Sequence, residues 1–189
     1  MDKCPVTVHQ DEWELSQLLD RYRALSPRRV LEIGTLAGGT LWYWMTNAPP
    51  GAEFVVVDLP IEWEHPSRGQ QRAGHNGEWL RWAEEYGHTL TVIPAASHDP
   101  ATIMQVSEHA PFDFVFIDAD HHYEAVRRDF EFYRPLVRPG GLIALHDIDI
   151  LEGPHFGVKP LWDDISQRYE SDEWIANPGW WGIGVIRVP

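Results

Sequence analysis

The chain has a single cysteine, Cys4, among 189 residues. No internal disulfide can form, so the fold must rest on its core, and this usage fits a reducing, cytoplasmic compartment. Cys4 sits near a terminus that is expected to fray and reads as a bystander, not a nucleophile. Long apolar runs are missing too: none approaches the roughly 18 residues a membrane-spanning helix needs. The opening MDKCPVTVHQDEWEL has no apolar h-region and does not read as a secretory signal. Positive charge is scarce, with 15 Lys and Arg against 29 Asp and Glu and a net charge of −14. Such a surface repels a phosphate backbone and anionic lipid, which argues against nucleic-acid and membrane partners. No internal repeat or low-complexity tract is found.

What is present is a globular composition. Hydrophobic residues make up 43%, and the length suits one domain over residues 1–189 that can bury a core unaided. Ten tryptophans are many for this length. They serve either core packing or a pocket or homo-oligomer surface built from flat rings.

Helix and strand signals alternate. Trp13, Leu15, Leu18, Leu19 and Tyr22 mark an amphipathic first helix. Strands are expected at Arg29–Ile33, Phe54–Asp58, Thr89–Ile93, Phe112–Ile117 and Leu142–Leu145. Their continuous apolar runs are those of a buried parallel sheet. Helices are expected at Gly39–Asn47, Glu78–Tyr86, Ala101–His109 and Tyr123–Tyr133, with a partly helical Val158–Tyr169. Pro139-Gly140-Gly141 reads as a turn, and residues 60–76, polar around Gln70, Gln71 and Asn76, as a mobile insertion. A strand, an Asn177-Pro178-Gly179 turn and a last strand Ile183–Val188 suggest a closing antiparallel hairpin. The class is therefore α/β: a doubly wound sheet, mostly parallel, with ligands at the carboxyl ends of its strands.

Four strand ends carry polar groups that a buried run does not need. The first is Glu32-Ile33-Gly34-Thr35-Leu36-Ala37-Gly38-Gly39-Thr40. Its glycines let backbone turn sharply and approach a ligand, and the next helix offers free N–H groups. The second is Asp58, an acid placed to accept from both hydroxyls of a ribose. Third is Ser97-His98-Asp99, where Asp99 before Pro100 reads as a helix cap and Ser97 is placed to touch an adenine. Fourth come Asp118-Ala119-Asp120-His121-His122 and His146-Asp147, on neighbouring strand ends. Carboxylates and imidazoles converging there can hold a divalent metal or deprotonate a substrate. Asp118, His121 and Asp147 are read as functional, Asp120 as a cap and His122 as a surface residue.

These motifs resemble a known group. VLEIGTLAGGT is similar to the first motif of class I methyltransferases, which have Rossmann-like sheets. FVFIDADHHYEAVRRDFEFYRPLVRPGGLIALHDI, GVKPLWDDI and GIGVIRV resemble the branch with cephalosporin hydroxylase-like proteins and macrolide or rhamnosyl O-methyltransferases, as does Gln10 before the first helix. The resemblance implies S-adenosylmethionine as cofactor. Glu32, Gly34 and Gly38, with the intervening Thr35 and the following Gly39, would surround its methionine part, beside Asp118. Asp58 would take the ribose, and Ser97 the adenine side. It also implies a small-molecule acceptor, a sugar or natural-product hydroxyl. Some members bind magnesium through an Asp at the fourth strand end and an acidic pair at the fifth. Asp118 and Asp147 match two of those positions, while His146 stands where an acid would, so Asp118, His146 and Asp147 suit a transition metal at least as well. The chain is shorter than many members and is expected to lack their N-terminal substrate-covering segments.

His121 is the candidate general base, because imidazole titrates near working pH and a helix N-terminus favours its neutral form. Two competing readings remain. A nicotinamide oxidoreductase could use a similar sheet, although glycines at 34, 38 and 39 do not fit the usual dinucleotide spacing. A non-catalytic adenosyl-ligand-binding protein could keep the fold without chemistry.

Overall fold

A computed structural model describes residues 3–60, 76–151 and 157–189. The insertion read into residues 60–76 lies, but for its ends, outside them.

The first helix, α1 (Glu12–Leu25), opens where Asp11 accepts the N–H groups of Trp13 and Glu14 at 2.9 and 3.2 Å. Such a side chain satisfies donors that have no partner inside the helix. Leu15, Leu18, Leu19 and Tyr22 line its buried face. The chain then alternates: β1 (Arg29–Ile33), α2 (Gly39–Asn47), β2 (Glu53–Asp58), α3 (Asn76–Glu85), β3 (Thr89–Pro94), α4 (Pro100–Ser107), β4 (Phe112–Ile117), α5 (Tyr123–Tyr133) and β5 (Val137–His146). It ends with α6 (Val158–Ile165), β6 (Glu170–Trp174) and β7 (Ile183–Arg187).

The seven strands form one sheet in the order β3-β2-β1-β4-β5-β7-β6. The first five in that order run parallel, and β7 pairs antiparallel with both β5 and β6. This is the expected doubly wound α/β architecture with its closing hairpin. Side chains alternate between faces. Leu31, Ile33, Val115 and Ile117 pack under α4, α5 and α6, whereas Val30, Phe114 and Phe116 pack under α1, α2 and α3. The chain winds outward from β1 to β3, then returns to add β4 on the other side of β1. The β1 and β4 ends therefore flank the point where winding reverses, the usual crevice for a ligand.

Helices α4 and α6 end two and four residues short of the expected His109 and Tyr169, and one strand boundary differs in kind. The Pro139-Gly140-Gly141 stretch is not a turn ahead of the strand but part of β5. Phe112 pairs with Val137 and Phe114 with Leu142, so the residues between bulge from the ladder. The bulge is held because Gly140 donates to the Val188 carbonyl at 2.7 Å and Val188 donates back to Gly141 at 2.9 Å. Gly140 takes φ +78°, which glycine adopts without steric cost.

Among the described residues five tryptophans, Trp42, Trp44, Trp79, Trp82 and Trp162, are buried, whereas Trp13, Trp180 and Trp181 are exposed. The buried rings serve core packing. Among the described residues no helix is long and apolar enough to cross a membrane.

Candidate active site

The glycine loop leaves β1 tightly packed. Gly34 has φ +84°, and a Cβ there would collide with the backbone of Asp118 and Ala119. Only glycine lets the β1 and β4 ends approach so closely. Asp58, at the end of β2, braces the loop: its Oδ2 accepts the N–H groups of Thr35 and Leu36 at 3.1 and 2.9 Å. Its Oδ1 accepts from Leu59 at 2.7 Å. The carboxylate thus ties the β2 end to the loop that follows β1. Gly38 precedes α2 with φ +88°, and the Trp79 indole occupies the space of its missing side chain. Trp79 Nε1 donates to the Ala37 carbonyl at 3.1 Å. Helix α2 has no side-chain cap, and Thr35 and Gly39 are buried.

Glu32 lies beneath this loop, not in the crevice. It is fully buried, and Thr40 donates its hydroxyl to Oε1. Burial pushes its carboxyl well above the usual range, aided by Asp118 and Asp58 and opposed by the Thr40 hydrogen bond. Oε2 has no hydrogen-bond partner among the described residues. Glu32 thus ties β1 to α2 and supports the loop from inside.

At the β3 end, Asp99 caps α4 as expected, accepting from Ala101 at 2.9 Å. Ser97 is half-buried, and its carbonyl accepts the Tyr133 hydroxyl at 2.5 Å. One turn earlier on α5, buried Asp129 faces Ser97 and His98.

The β4 and β5 ends bring four groups together. Asp118, His121 and Asp147 each offer a ligand atom, and these atoms lie within 4.8 Å of one another. His121 Nε2 is 3.4 Å from Asp118 Oδ1, and its Nδ1 is 3.2 Å from Asp147 Oδ2. A neutral imidazole has one N–H and can donate to only one of these carboxylates. The other contact calls for a second proton or a cation between nitrogen and oxygen. His146 Nδ1 lies 3.3 Å from both Asp118 Oδ1 and Asp147 Oδ1. Burial alone would lower its pKa, but Asp118, Asp147 and Glu14 push it up to about 9. His146 is therefore the cluster's counter-cation. Burial raises the Asp118 carboxyl, yet His146 and His121 outweigh burial and hold it well below the carboxylate range. Asp147 adopts φ +62°, which Asp tolerates better than most residues. Asp120 holds the turn into α5, accepting the His122 N–H at 2.9 Å and meeting its ring at 2.6 Å; His122 is exposed.

Sequence reasoning named Gln10 only as part of a resemblance. Here its Nε2 donates to Asp118 Oδ2 at 2.8 Å, turning Oδ1 toward the two histidines. The segment before α1 reaches the site because Cys4, Val6 and Val8 face the core alternately and cross Gly39. That inward-outward alternation was the available signal. The roof that Trp79 forms over Gly38 had no local signal.

A family model described as a methyltransferase domain matches residues 31–148, and the chain belongs to that family. A demethylmacrocin O-methyltransferase of Streptomyces fradiae is 35% identical over 107 residues, 48% of this chain and 27% of that protein. A rhamnosyl O-methyltransferase of Mycobacterium tuberculosis is 24% identical over 185 residues, 90% of this chain and 69% of that one. The chain spans from 15% to half the length of the first curated relatives it matches. Among solved structures, an O-methyltransferase from Bacillus cereus in complex with SAH has a TM-score of 0.66 at 18% identity, covering 96% of this chain and 84% of that one. MycE, a methyltransferase of mycinamycin biosynthesis solved with Mg, SAH and mycinamycin VI, has a TM-score of 0.56 at 20% identity, covering 92% and 54%. These structures share the fold. Family membership sets aside the nicotinamide reading.

Proposed function

We propose that the chain is an S-adenosylmethionine-dependent O-methyltransferase acting on a hydroxyl of a small molecule, of the sugar or natural-product kind that its relatives' names describe. One observation carries the reading: the Asp58-braced glycine loop and the Asp118–His121–Asp147 cluster meet at one reversal point of the sheet. Cofactor and proton acceptor are thus held within one crevice. Gly34, Thr35, Gly38 and Gly39 would cradle the methionine part, with Glu32 behind them. Asp58 would hold the ribose, and Ser97 the adenine side.

Methyl transfer forms an oxygen–carbon bond as the carbon–sulfur bond breaks, and that electron pair stays on sulfur, leaving S-adenosylhomocysteine. Alignment of oxygen, carbon and sulfur supplies much of the acceleration. The hydroxyl proton needs a destination, and His121 is the group we assign to take it. Asp147 and Asp118 orient its ring.

The same three side chains also fit a divalent cation. One imidazole nitrogen and two carboxylates suit manganese, iron or zinc at least as well as magnesium. When bound, the ion would make the acceptor hydroxyl more acidic. Asp118, His121 and Asp147 would hold it, with His146 balancing charge beside them.

The test is calorimetry with S-adenosylhomocysteine, followed by labelled methyl transfer to a panel of catechols and methyl glycosides with and without added metal. Absence of cofactor binding would overturn the reading. His121→Asn then separates the two roles. A lost base leaves metal content unchanged and lowers turnover about a hundredfold or more. A lost ligand lowers the metal content measured by elemental analysis.

A further inference from the structure

The connection between β6 and β7, residues 175–182, is held more firmly than a surface loop requires. Buried Glu14 of α1 accepts the Ala176 N–H at 2.8 Å and the Gly182 N–H at 3.1 Å. Asp149 accepts the Gly179 N–H at 2.8 Å. The Asp149 and Ile148 N–H groups donate to the carbonyls of Trp181 and Gly182 at 2.8 and 3.3 Å. This lattice keeps Trp181 at φ +51°, a conformation costly for a bulky residue and free for glycine. A loop needing only that backbone shape would place glycine there, as the next position does. Trp181 belongs to neither face of the core, and the residue keeps 38% of its surface exposed. Its ring centre lies 6.4 Å from that of His146, the imidazole touching both Asp118 and Asp147. Strain held in place beside reactive groups points to use of the side chain.

We propose that Trp181 is the wall of the acceptor site, and that the acceptor is an uncharged hydroxylated ring whose flat face lies on the indole while one hydroxyl reaches Asp118, His121 and Asp147. This rests on the methyltransferase reading above. An indole face recognises the C–H face of a sugar or the π face of a phenol. Asp118, Asp147, Asp149 and a net charge of −14 disfavour phosphorylated or carboxylated acceptors. Exposed Leu151 lies against the same connection, 3.8 Å from the place a Cβ would take at Gly179.

The test uses the full chain saturated with S-adenosylhomocysteine, and ligand-observed NMR with catechol, methyl α-L-rhamnopyranoside and phenyl phosphate as probes. Trp181→Gly removes the ring while easing the backbone, and Trp181→Phe keeps a smaller flat ring. At least one neutral probe should bind the wild type, with phenyl phosphate weaker. Trp181→Gly should raise that probe's Kd about tenfold, the size of a ring-stacking contribution, and Trp181→Phe should raise it less. S-adenosylhomocysteine affinity should stay within about twofold in both variants, since no cofactor contact is altered. The proposal is overturned if no neutral probe binds, if phenyl phosphate binds more tightly, or if Trp181→Gly leaves the Kd unchanged. It is equally overturned if that variant loses S-adenosylhomocysteine affinity, because the ring would then hold the fold. A wild-type chain that does not bind S-adenosylhomocysteine fails at the first titration, and that failure belongs to the underlying reading.

Discussion

Replacing Asp129 by Asn should stabilise the protein near neutral pH and not at acid pH. Asp129 is 1% exposed on α5, and its Oδ1 has no hydrogen-bond partner among the described residues. Burial pushes its carboxyl up to about 6, against smaller lowering influences from Ser97 and His98 and a raising one from Asp120. In the unfolded chain an Asp carboxyl titrates near 3.9. Between about pH 4 and 6 the folded state therefore holds a proton that the unfolded state has lost. The stability linked to that proton is complete below about pH 4 and is lost as pH rises through 6. Two pH units correspond to about 3 kcal/mol, the penalty of an ionised Asp129 at pH 7 and above. Asn has nearly the same shape and never ionises. The difference between variant and wild type should be near zero at pH 4 and approach about 3 kcal/mol by pH 7.5. In a chain of this size that is a melting-temperature gain of about 6–12 °C. Urea unfolding of both proteins from pH 4 to 8 reads this directly, since other titrating groups cancel in the comparison. A difference that does not vary with pH would refute the reasoning, as would a wild type more stable than the variant at pH 7.5. The first result would place Asp129 in contact with water, and the second would mean that His98 compensates the charge fully.

If Asp58 holds the ribose as proposed, Asp58→Ala should weaken S-adenosylhomocysteine binding by about 1.5–3 kcal/mol, the size of a charge-assisted hydrogen bond, and it should loosen residues 35–36. Unchanged affinity in calorimetry would remove Asp58 from the ribose. Glu14→Ala should cost about 2–3 kcal/mol of stability by leaving the Ala176 and Gly182 N–H groups without their acceptor. Denaturant unfolding checks this, and faster amide exchange at 176 and 182 should accompany the loss. Gly38→Ala should destabilise by more than about 1 kcal/mol, because its Cβ would meet the Trp79 indole and its φ is +88°. A thermal melt within a degree of wild type would contradict that packing.

The β1 and β4 strands were legible because their apolar runs are bounded by polar strand ends, and both have the expected limits. The start of β5 was not, because Pro139-Gly140-Gly141 carries every local sign of a turn while its hydrogen bonds come from Val188, far along the chain. Strand-end chemistry was visible for a related reason: an acid or histidine closing an apolar run has no packing role to explain it. The division of labour between His121 and His146 was not visible. It depends on ring orientation, which places His121 between two carboxylates and turns His146 into their buried partner. Gln10 reaches Asp118 across 108 positions, a distance over which periodicity carries no information.

That division of labour also narrows the choice of base. A base must be able to gain a proton at working pH. His146, with its pKa pushed up to about 9, already carries one at neutrality. His122 is exposed and occupied by Asp120. His121 also meets Asp118 and Asp147, and the role of base proposed for it requires that it hold a single proton when the acceptor arrives. The charge balance favours the same assignment. Asp118, held ionised, and His146, held protonated, offset one another, so the carboxyl of Asp147 and the ring of His121 set the charge of the cluster. In the proposed reaction the sulfonium would arrive as a cation and leave as a neutral thioether, while the acceptor would release a proton. Carboxylates there would favour the sulfonium at the start, and a proton taken by His121 would replace the lost positive charge at the end. An acid in place of His146 would remove that buried positive charge and leave two carboxylates facing a third, so His146 suits the proton transfer proposed for His121.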